Sequence, residues 1–194
     1  WVGTERGGLN LFDPGTGRAR RFDLLQLGPW ATDAALPTSQ QRRGRTVSGI
    51  VIMPDGSLIL ATDIGLVRFD PADGRASRVD PAVVQPDPAG IPICALPDGR
   101  VLAAMPHGEI RIASGTEQSP VPLADLEEPL TALPCHSVDR AYVGTAGGSV
   151  FALDVARGTS ERIGRVAGEG SDSLDIHDMI VGPDGNLWIA TGQG

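Results

Sequence analysis

The chain has 194 residues, of which 16 are basic and 24 acidic, giving a formal net charge of −8. A protein that follows the phosphate backbone of nucleic acid carries the opposite charge, so this composition argues against nucleic-acid binding. No window holds the roughly 18 uninterrupted apolar residues of a membrane span. The 26 glycines and 16 prolines favour short strands and turns over long helices.

A repeated block recurs along the chain. The segments PDGSLILAT (54–62), PDGRVLAAM (97–105), SVDRAYVGT (137–145) and PDGNLWIAT (183–191) align without a gap, and the opening WVGT (1–4) matches the end of the block. A fixed period of about 40 to 45 residues is typical of repeat architectures in which each unit is one small sheet.

Each unit is predicted to hold four antiparallel strands. An apolar strand precedes the Pro-Asp-Gly turn, a strand of small apolar residues follows it, and a third and a polar fourth strand come after further glycine-containing turns. This pattern predicts an all-β fold, a β-propeller of about four to five blade units. The predicted parts are a partial blade (1–22), an insertion (23–46), blades at 47–79, 90–123 and 130–165, and a partial blade (176–194).

The repeats resemble a known family. Residues 1–22 and 54–79, with the ending GPDGNLWIATGQG, resemble the two-component regulator propeller repeat, whose pattern is roughly D-x-D-G-x-L-W-I-G-T followed by a Phe/Tyr-Asp-Pro turn. The middle units depart from it, since Met105 replaces the threonine. The resemblance implies an extracytoplasmic, usually periplasmic, ligand-sensing propeller fused to a histidine kinase or a diguanylate cyclase.

Both termini are predicted to fall inside a blade. Residues 1–22 supply strands two to four of a unit and 176–191 supply strands one and two, so the ends duplicate a strand instead of completing one blade. We therefore expect a segment of a larger ring of about seven blades. The expected partners are the remaining blades or a second copy, which includes a possible homodimer.

The insertion at 23–46 is predicted to decorate the face on which propellers usually bind ligands. It carries an arginine cluster and an aromatic residue, a combination that suits a carboxylate, phosphate or sugar-acid ligand. The expected partner is a small ligand such as a carbohydrate or an organic acid. The alternative is a solvated loop whose arginines balance an acidic body. The candidate ligand-binding residues here are Trp30, Arg42, Arg43 and Arg45.

Two histidines are predicted to lie on the same face. His107 falls in a turn between the second and third strands, and His177 begins a first strand beside Asp178. His136 precedes the opposite turn, and no spacing typical of a zinc site is present, so we expect no metal and no cofactor. The alternative for His177 is a residue at a strand start that simply faces water.

The aspartates of the Pro-Asp-Gly turns invite a catalytic or metal-binding interpretation. Asp55, Asp98 and Asp184 occur one per blade, too dispersed to share a metal ion. Aspartates in such turns hydrogen-bond to nearby backbone, so a structural role is predicted.

Cys94 and Cys135 are the only cysteines. Cys94 lies three residues before Pro97, the first residue of its turn, whereas Cys135 lies two residues before Ser137, the first residue of the next. This difference of one position places the two side chains on opposite faces of neighbouring first strands. We therefore predict two buried, reduced thiols and no disulfide.

These observations favour a non-catalytic sensor or ligand-binding module of a bacterial signal-transduction protein. The chief alternative is an enzyme, because streptogramin lyases are similar propellers with repeats close to GPDGNLW (182–188). Their activity needs a histidine and an acid at a divalent cation, and here His177 alone could join such a set. A third alternative is a protein-interaction platform without a small ligand.

Overall fold

The computed structural model describes residues 1–28, 46–79, 90–105, 108–114, 117–122, 128–168 and 174–193. Its described residues form five antiparallel sheets and one short helix. None of the described helical segments has the length and apolar character needed to cross a bilayer. The chain divides into two compact units, Trp1–Ile91 and Pro92–Gly194.

The first unit holds two sheets. The first sheet has three strands and the second has four, each strand pairing with the one before it in the chain. The short helix follows the first sheet, at the start of the predicted insertion. The elements are β1 (Val2–Thr4), β2 (Gly8–Asp13) and β3 (Arg18–Phe22) in the first sheet, α1 (Leu24–Leu27), and β4 (Val47–Ile52), β5 (Leu58–Thr62), β6 (Gly65–Asp70) and β7 (Arg75–Arg78) in the second sheet.

The second unit holds three sheets with the same strand order. The third and fourth sheets have four strands and the fifth has two. The third sheet is formed by β8 (Ile93–Ala95), β9 (Val101–Ala104), β10 (Glu109–Ser114) and β11 (Glu117–Pro122), the fourth by β12 (Leu130–Ala132), β13 (Arg140–Thr145), β14 (Ser149–Asp154) and β15 (Thr159–Arg165), and the fifth by β16 (Ile176–Val181) and β17 (Leu187–Thr191).

The Pro-Asp-Gly turns set the register between the first two strands of a sheet. Gly56, Gly99 and Gly185 have φ values of 82°, 87° and 81°, in the left-handed region that an L side chain rarely adopts. Each turn is closed by a backbone hydrogen bond, as from the Gly56 N–H to the Met53 carbonyl at 2.9 Å. The repeated turn thus fixes which residues of neighbouring strands lie opposite one another.

Within each unit, consecutive sheets pack face to face. We call the side of a sheet that meets the following sheet its forward face, and the side that meets the preceding sheet its rear face. Between the third and fourth sheets, the forward-face residues Leu102 and Ile110 join the rear-face residues Val143 and Leu153 in one buried cluster. The fourth sheet also packs against the fifth, so its second and third strands are buried on both faces, as the repeat pattern requires.

The same arrangement recurs at the other contacts within the units. Val150 of the fourth sheet packs against Ile176 and Met179 of the fifth. In the first unit, Phe22 packs against Phe69 of the second sheet with ring centroids 5.1 Å apart. Because the faces alternate along each strand, the position of a residue in the repeat determines which neighbouring sheet it contacts.

The prediction of two reduced cysteines is wrong. Cys94 and Cys135 form a disulfide, with Cα atoms 5.7 Å apart. The two residues do have opposite orientations in their own sheets, as the register indicated. Neighbouring sheets pack face to face, however, so the forward face of the third sheet, with Cys94, meets the rear face of the fourth, with Cys135. Opposite orientation brings the sulfur atoms together instead of separating them.

Candidate functional site

An irregularity recurs at the start of the first strand in three sheets. The pairing of β4 with β5, β12 with β13 and β16 with β17 skips one residue, which leaves that residue in a β-bulge. The skipped residues are Ser48, Thr131 and His177. Such bulges re-aim a side chain and are common next to functional sites.

Two of the three bulge side chains are satisfied within their own sheet. The Ser48 hydroxyl donates to the Ala61 carbonyl, and the Thr131 hydroxyl donates to the Gly144 carbonyl, each at 3.3 Å. His177 occupies the same position in the fifth sheet and is exposed. At this position the fifth sheet therefore presents an imidazole, whereas the second and fourth sheets present a short hydroxyl side chain.

The surroundings of His177 leave its ring open to water. A Cβ atom at Gly192 would lie 3.1 Å from His177 Nε2, so the absence of a side chain at Gly192 gives the ring its space. Asp178 is also exposed, and its Oδ1 accepts the Met179 N–H at 2.8 Å. His177 and Asp178, both predicted from the sequence, therefore lie together at the start of β16.

The other predicted ligand-binding residues lie outside the part of the chain that the structure describes. They are Trp30, Arg42, Arg43, Arg45 and His107.

A polar cluster that the sequence did not reveal lies at the turn between β13 and β14. The Thr145 hydroxyl donates to Glu128 Oε2, and the Ser149 N–H donates to Thr145 Oγ1 at 2.9 Å. Arg165 lies 3.7 Å from Glu128 Oε1 and donates to the Gly147 carbonyl. Hydrogen bonds from the side chains of Thr145 and Ser149, together with the charge of Arg165, hold the pKa of Glu128 below its usual value.

This cluster acts as a brace. Glu128 precedes the first strand of the fourth sheet, and Thr145 ends the second. A Cβ atom at Gly147 would meet the Glu128 carboxyl carbon at 2.2 Å, so only glycine allows the carboxylate to lie against this turn. The threonine that recurs at the end of the second strand is the one sequence signal for this cluster. In the second sheet, the Thr62 hydroxyl likewise donates to a backbone group of its own turn, the Gly65 carbonyl, at 2.6 Å.

The aspartates of the Pro-Asp-Gly turns have the structural role predicted for them. Asp55 Oδ1 accepts from the Ser57 N–H at 3.0 Å, and Asp184 Oδ1 accepts from the Asn186 N–H at 3.1 Å. The pKa of Asp55 is lowered by the Ser57 hydroxyl and N–H, and the pKa of Asp184 by the backbone and side-chain amides of Asn186. Each of these carboxylates accepts hydrogen bonds within its own turn. The described residues contain no group of three His, Cys, Asp or Glu placed to hold a metal ion.

A shallow apolar depression lies on the forward face of the fifth sheet. Ile180 and Trp188 are directly opposite each other in the β16–β17 pair, and each is 65% exposed. Asp178 and Ala190 border them. In the fourth sheet, Tyr142 occupies the repeat position of Trp188 and packs against the fifth sheet.

Comparison with solved structures identifies the architecture. Two structures of the extracellular domain of BT4673 from B. thetaiotaomicron, described as a one-component and as a hybrid two-component system, match 98% and 96% of this chain with TM-scores of 0.71 and 0.67. The fold is that of a β-propeller. The sequence identities are 12% and 16%, and the matches cover 25% and 24% of those chains. The predicted propeller fold, and a structural resemblance to the extracellular domain of a two-component system, are thereby confirmed.

Enzymes share this architecture. A catalytically inactive virginiamycin B lyase from Staphylococcus aureus, solved with quinupristin, matches 90% of this chain with a TM-score of 0.63 and 14% identity, over 53% of its own length. A streptogramin B lyase matches 75% of this chain with a TM-score of 0.57 and 18% identity, over 48% of its length. No family model and no curated protein sequence matches the chain.

Proposed function

We propose that the chain is an extracytoplasmic ligand-binding module of a bacterial signal-transduction protein, without catalytic activity of its own. The observation that carries this proposal is the match to an extracellular sensor domain over 98% of the chain. The chain spans about a quarter of the length of that structure, because the match covers 25% of its residues. We propose that an output domain and further blades accompany this module in the whole protein.

The disulfide supports the proposed location. Disulfides form and persist in oxidising compartments such as the periplasm, and are rare in the reducing cytosol. Cys94 and Cys135 are 41 residues apart in the sequence and come from different sheets, so the bond joins two blades. A bond of this kind suits a domain outside the cytoplasm.

The proposed ligand-binding face is the edge at which the bulges lie. His177 and Asp178 offer there a donor or acceptor imidazole and an acceptor carboxylate, both exposed. The predicted ligand class is a carbohydrate or an organic acid, because the arginines predicted for this face would bind carboxylates and the polar side chains at β16 would bind hydroxyl groups. Trp30, Arg42, Arg43 and Arg45 belong to the same proposal.

Thermal-shift screening against sugars, organic acids and oligosaccharides tests the proposal. A ligand present at about 100 times its Kd adds about 2.7 kcal/mol to the free energy of unfolding. For a chain of this size that shift raises Tm by about 5–10 °C. The substitution His177→Ala should remove most of the shift.

The matched control is His136→Ala. His136 lies at the opposite turn, where its N–H donates to the Arg140 carbonyl at 2.9 Å, so its replacement should leave the ligand-induced shift unchanged. If no compound of these classes raises Tm, or if both histidine variants lose the shift equally, the proposed binding face is wrong.

A lyase is the second candidate function, favoured by the fold match to the virginiamycin B lyase. His177 is the one described histidine on the proposed binding face and would be its catalytic residue. Incubation with quinupristin and Mg²⁺ tests this candidate directly. Turnover that His177→Ala abolishes and His136→Ala preserves would replace the sensor proposal by the enzyme.

A further inference from the structure

The fourth sheet carries polar residues at repeat positions that the first two sheets fill with apolar ones. Ser149 follows Gly148, which has a positive φ, and lies directly opposite Arg165 in the β14–β15 pair. The residues at these two positions are Leu9 and Phe22 in the first sheet and Leu66 and Val79 in the second. A serine and an arginine therefore replace an apolar pair at the edge that we propose binds ligand.

These polar residues lie on the rear face of the fourth sheet. Val150 packs against the fifth sheet, and Phe151 belongs to the cluster shared with the third. Because side chains alternate along a strand, Ser149 and its partner Arg165 share the face of Phe151. The third sheet has four strands, so the site lies beside a complete neighbouring sheet and not on an uncovered outer one.

Glu128 and Arg165 form a pair of opposite charges at this edge. Arg165 Nη2 lies 3.7 Å from Glu128 Oε1, and the side chains of Glu128 and Arg165 are 33% and 46% exposed. At 3.7 Å the two atoms attract each other without forming a hydrogen bond. Both groups therefore keep hydrogen-bonding capacity toward a ligand.

The surroundings hold both groups in place. The side chains of Thr145 and Ser149 donate to Glu128, and a carboxylate has about four acceptor sites, so part of its capacity stays open. Arg165 Nε donates to the Gly147 carbonyl at 3.0 Å, which restrains the guanidinium. A donor and an acceptor that are held in this way lose little conformational freedom when a ligand binds.

This arrangement favours a neutral ligand with neighbouring hydroxyl groups. One hydroxyl can donate to the Glu128 carboxylate while the next accepts from the Arg165 guanidinium. A carboxylate of the ligand would also accept from Arg165, but it would lie beside the charge of Glu128, and like charges repel. The lowered pKa of Glu128 keeps its carboxyl group charged at neutral pH.

We propose that Glu128 and Arg165 form a saccharide-binding subsite that selects neutral sugars over acidic ones. The inference rests on the proposed ligand-binding function and narrows its ligand class from a carbohydrate or an organic acid to a neutral saccharide. The contact of Glu128 with Thr145 then stabilises the turn and also positions the carboxylate for the ligand.

Isothermal titration calorimetry on the 194-residue chain tests this subsite. The probes are oligosaccharides of glucose, galactose and mannose, each compared with the oligosaccharide of the corresponding uronic acid, and we expect the neutral member of a pair to bind more tightly. Arg165→Gln should raise the Kd for the neutral sugar by about tenfold or more, because a hydrogen bond from a charged donor is lost. The matched control is Arg157→Gln, which should leave Kd unchanged, because Arg157 pairs with Asp154 at the opposite end of the same sheet.

Glu128→Gln separates ligand selection from stabilisation of the turn. Glutamine keeps an oxygen that can accept from Thr145, whereas the negative charge is removed. The preference for the neutral over the acidic sugar should therefore fall by about tenfold or more, a change that a purely structural role of Glu128 would not produce. Circular dichroism that matches the unsubstituted chain verifies that each variant is folded.

The outcomes distinguish this inference from the proposed function. Tighter binding of the uronic acids by the unsubstituted chain, equal Kd values for Arg165→Gln and Arg157→Gln, or an unchanged preference in Glu128→Gln would each overturn the inference and leave the proposed function standing. If the thermal-shift screen finds an organic acid while no saccharide binds, the inference alone is wrong. If neither assay finds a ligand, both are wrong.

Discussion

Reduction of the disulfide gives the best-defined perturbation of stability. The bond closes a loop across a sequence separation of 41 residues. The chain-entropy relation for a loop of that length gives about 4 kcal/mol at 25 °C, chiefly through a more restricted unfolded state. The native packing around Cys94 and Cys135 already holds the two sheets together, so the reduced chain should remain folded but less stable.

Urea unfolding followed by far-ultraviolet circular dichroism measures this loss. We expect a reducing agent to lower the free energy of unfolding of the unit that contains Pro92–Gly194 by about 4 kcal/mol. The double variant Cys94→Ala and Cys135→Ala should be as unstable as the reduced chain and insensitive to the reducing agent. An unfolding midpoint that reduction does not move would refute the argument, because the cysteines would then not be joined across the two sheets.

Three further predictions test other parts of the structure. Phe69 is fully buried, with its ring centroid 5.8 Å from that of Trp1, so Phe69→Ala should lower the free energy of unfolding in urea by about 3–5 kcal/mol. Phe12→Ala, at the exposed equivalent position of the first sheet, should lower it by less than about 1 kcal/mol. Glu128→Ala should cost about 1–2 kcal/mol, because the buried Thr145 hydroxyl loses its acceptor; Glu161→Ala, on the exposed outer strand, should change stability by less than about 0.5 kcal/mol. The pKa values of Asp55, Asp184 and Glu128 are lowered in the folded state, so these carboxylates stabilise it at any pH above about 4, the pKa of carboxyl groups in the unfolded chain. This contribution should be lost as the pH falls below about 4, and a Tm that stayed constant down to about pH 2 would contradict it.

The sequence predicted the sheets well because their determinants are local. The Pro-Asp-Gly turns require a positive φ at the glycine, and Asp55 and Asp184 bond the backbone two residues on. These short-range constraints align the first two strands without reference to the remainder of the fold. The strand alternation then determines the two apolar faces.

The features that the sequence did not predict depend on contacts between sheets or between distant segments. The sequence pattern gives the orientation of Cys94 and of Cys135 within their own sheets. The disulfide depends instead on the contact between two stacked sheets, which the pattern does not show. The brace of Glu128 on Thr145 joins residues 17 positions apart across a turn that has no distinctive motif. The bulge at His177 shows only in the pairing of β16 with β17.

Peptide mapping of the oxidised chain tests most directly that consecutive sheets stack face to face as propeller blades. Trypsin cleavage after arginine places Cys94 in the peptide 79–100 and Cys135 in the peptide 112–140. Without reducing agent, mass spectrometry should find these two peptides joined as one species that separates on reduction. Recovery of both as free thiol peptides from protein purified from an oxidising compartment would contradict the stacking of the third sheet on the fourth.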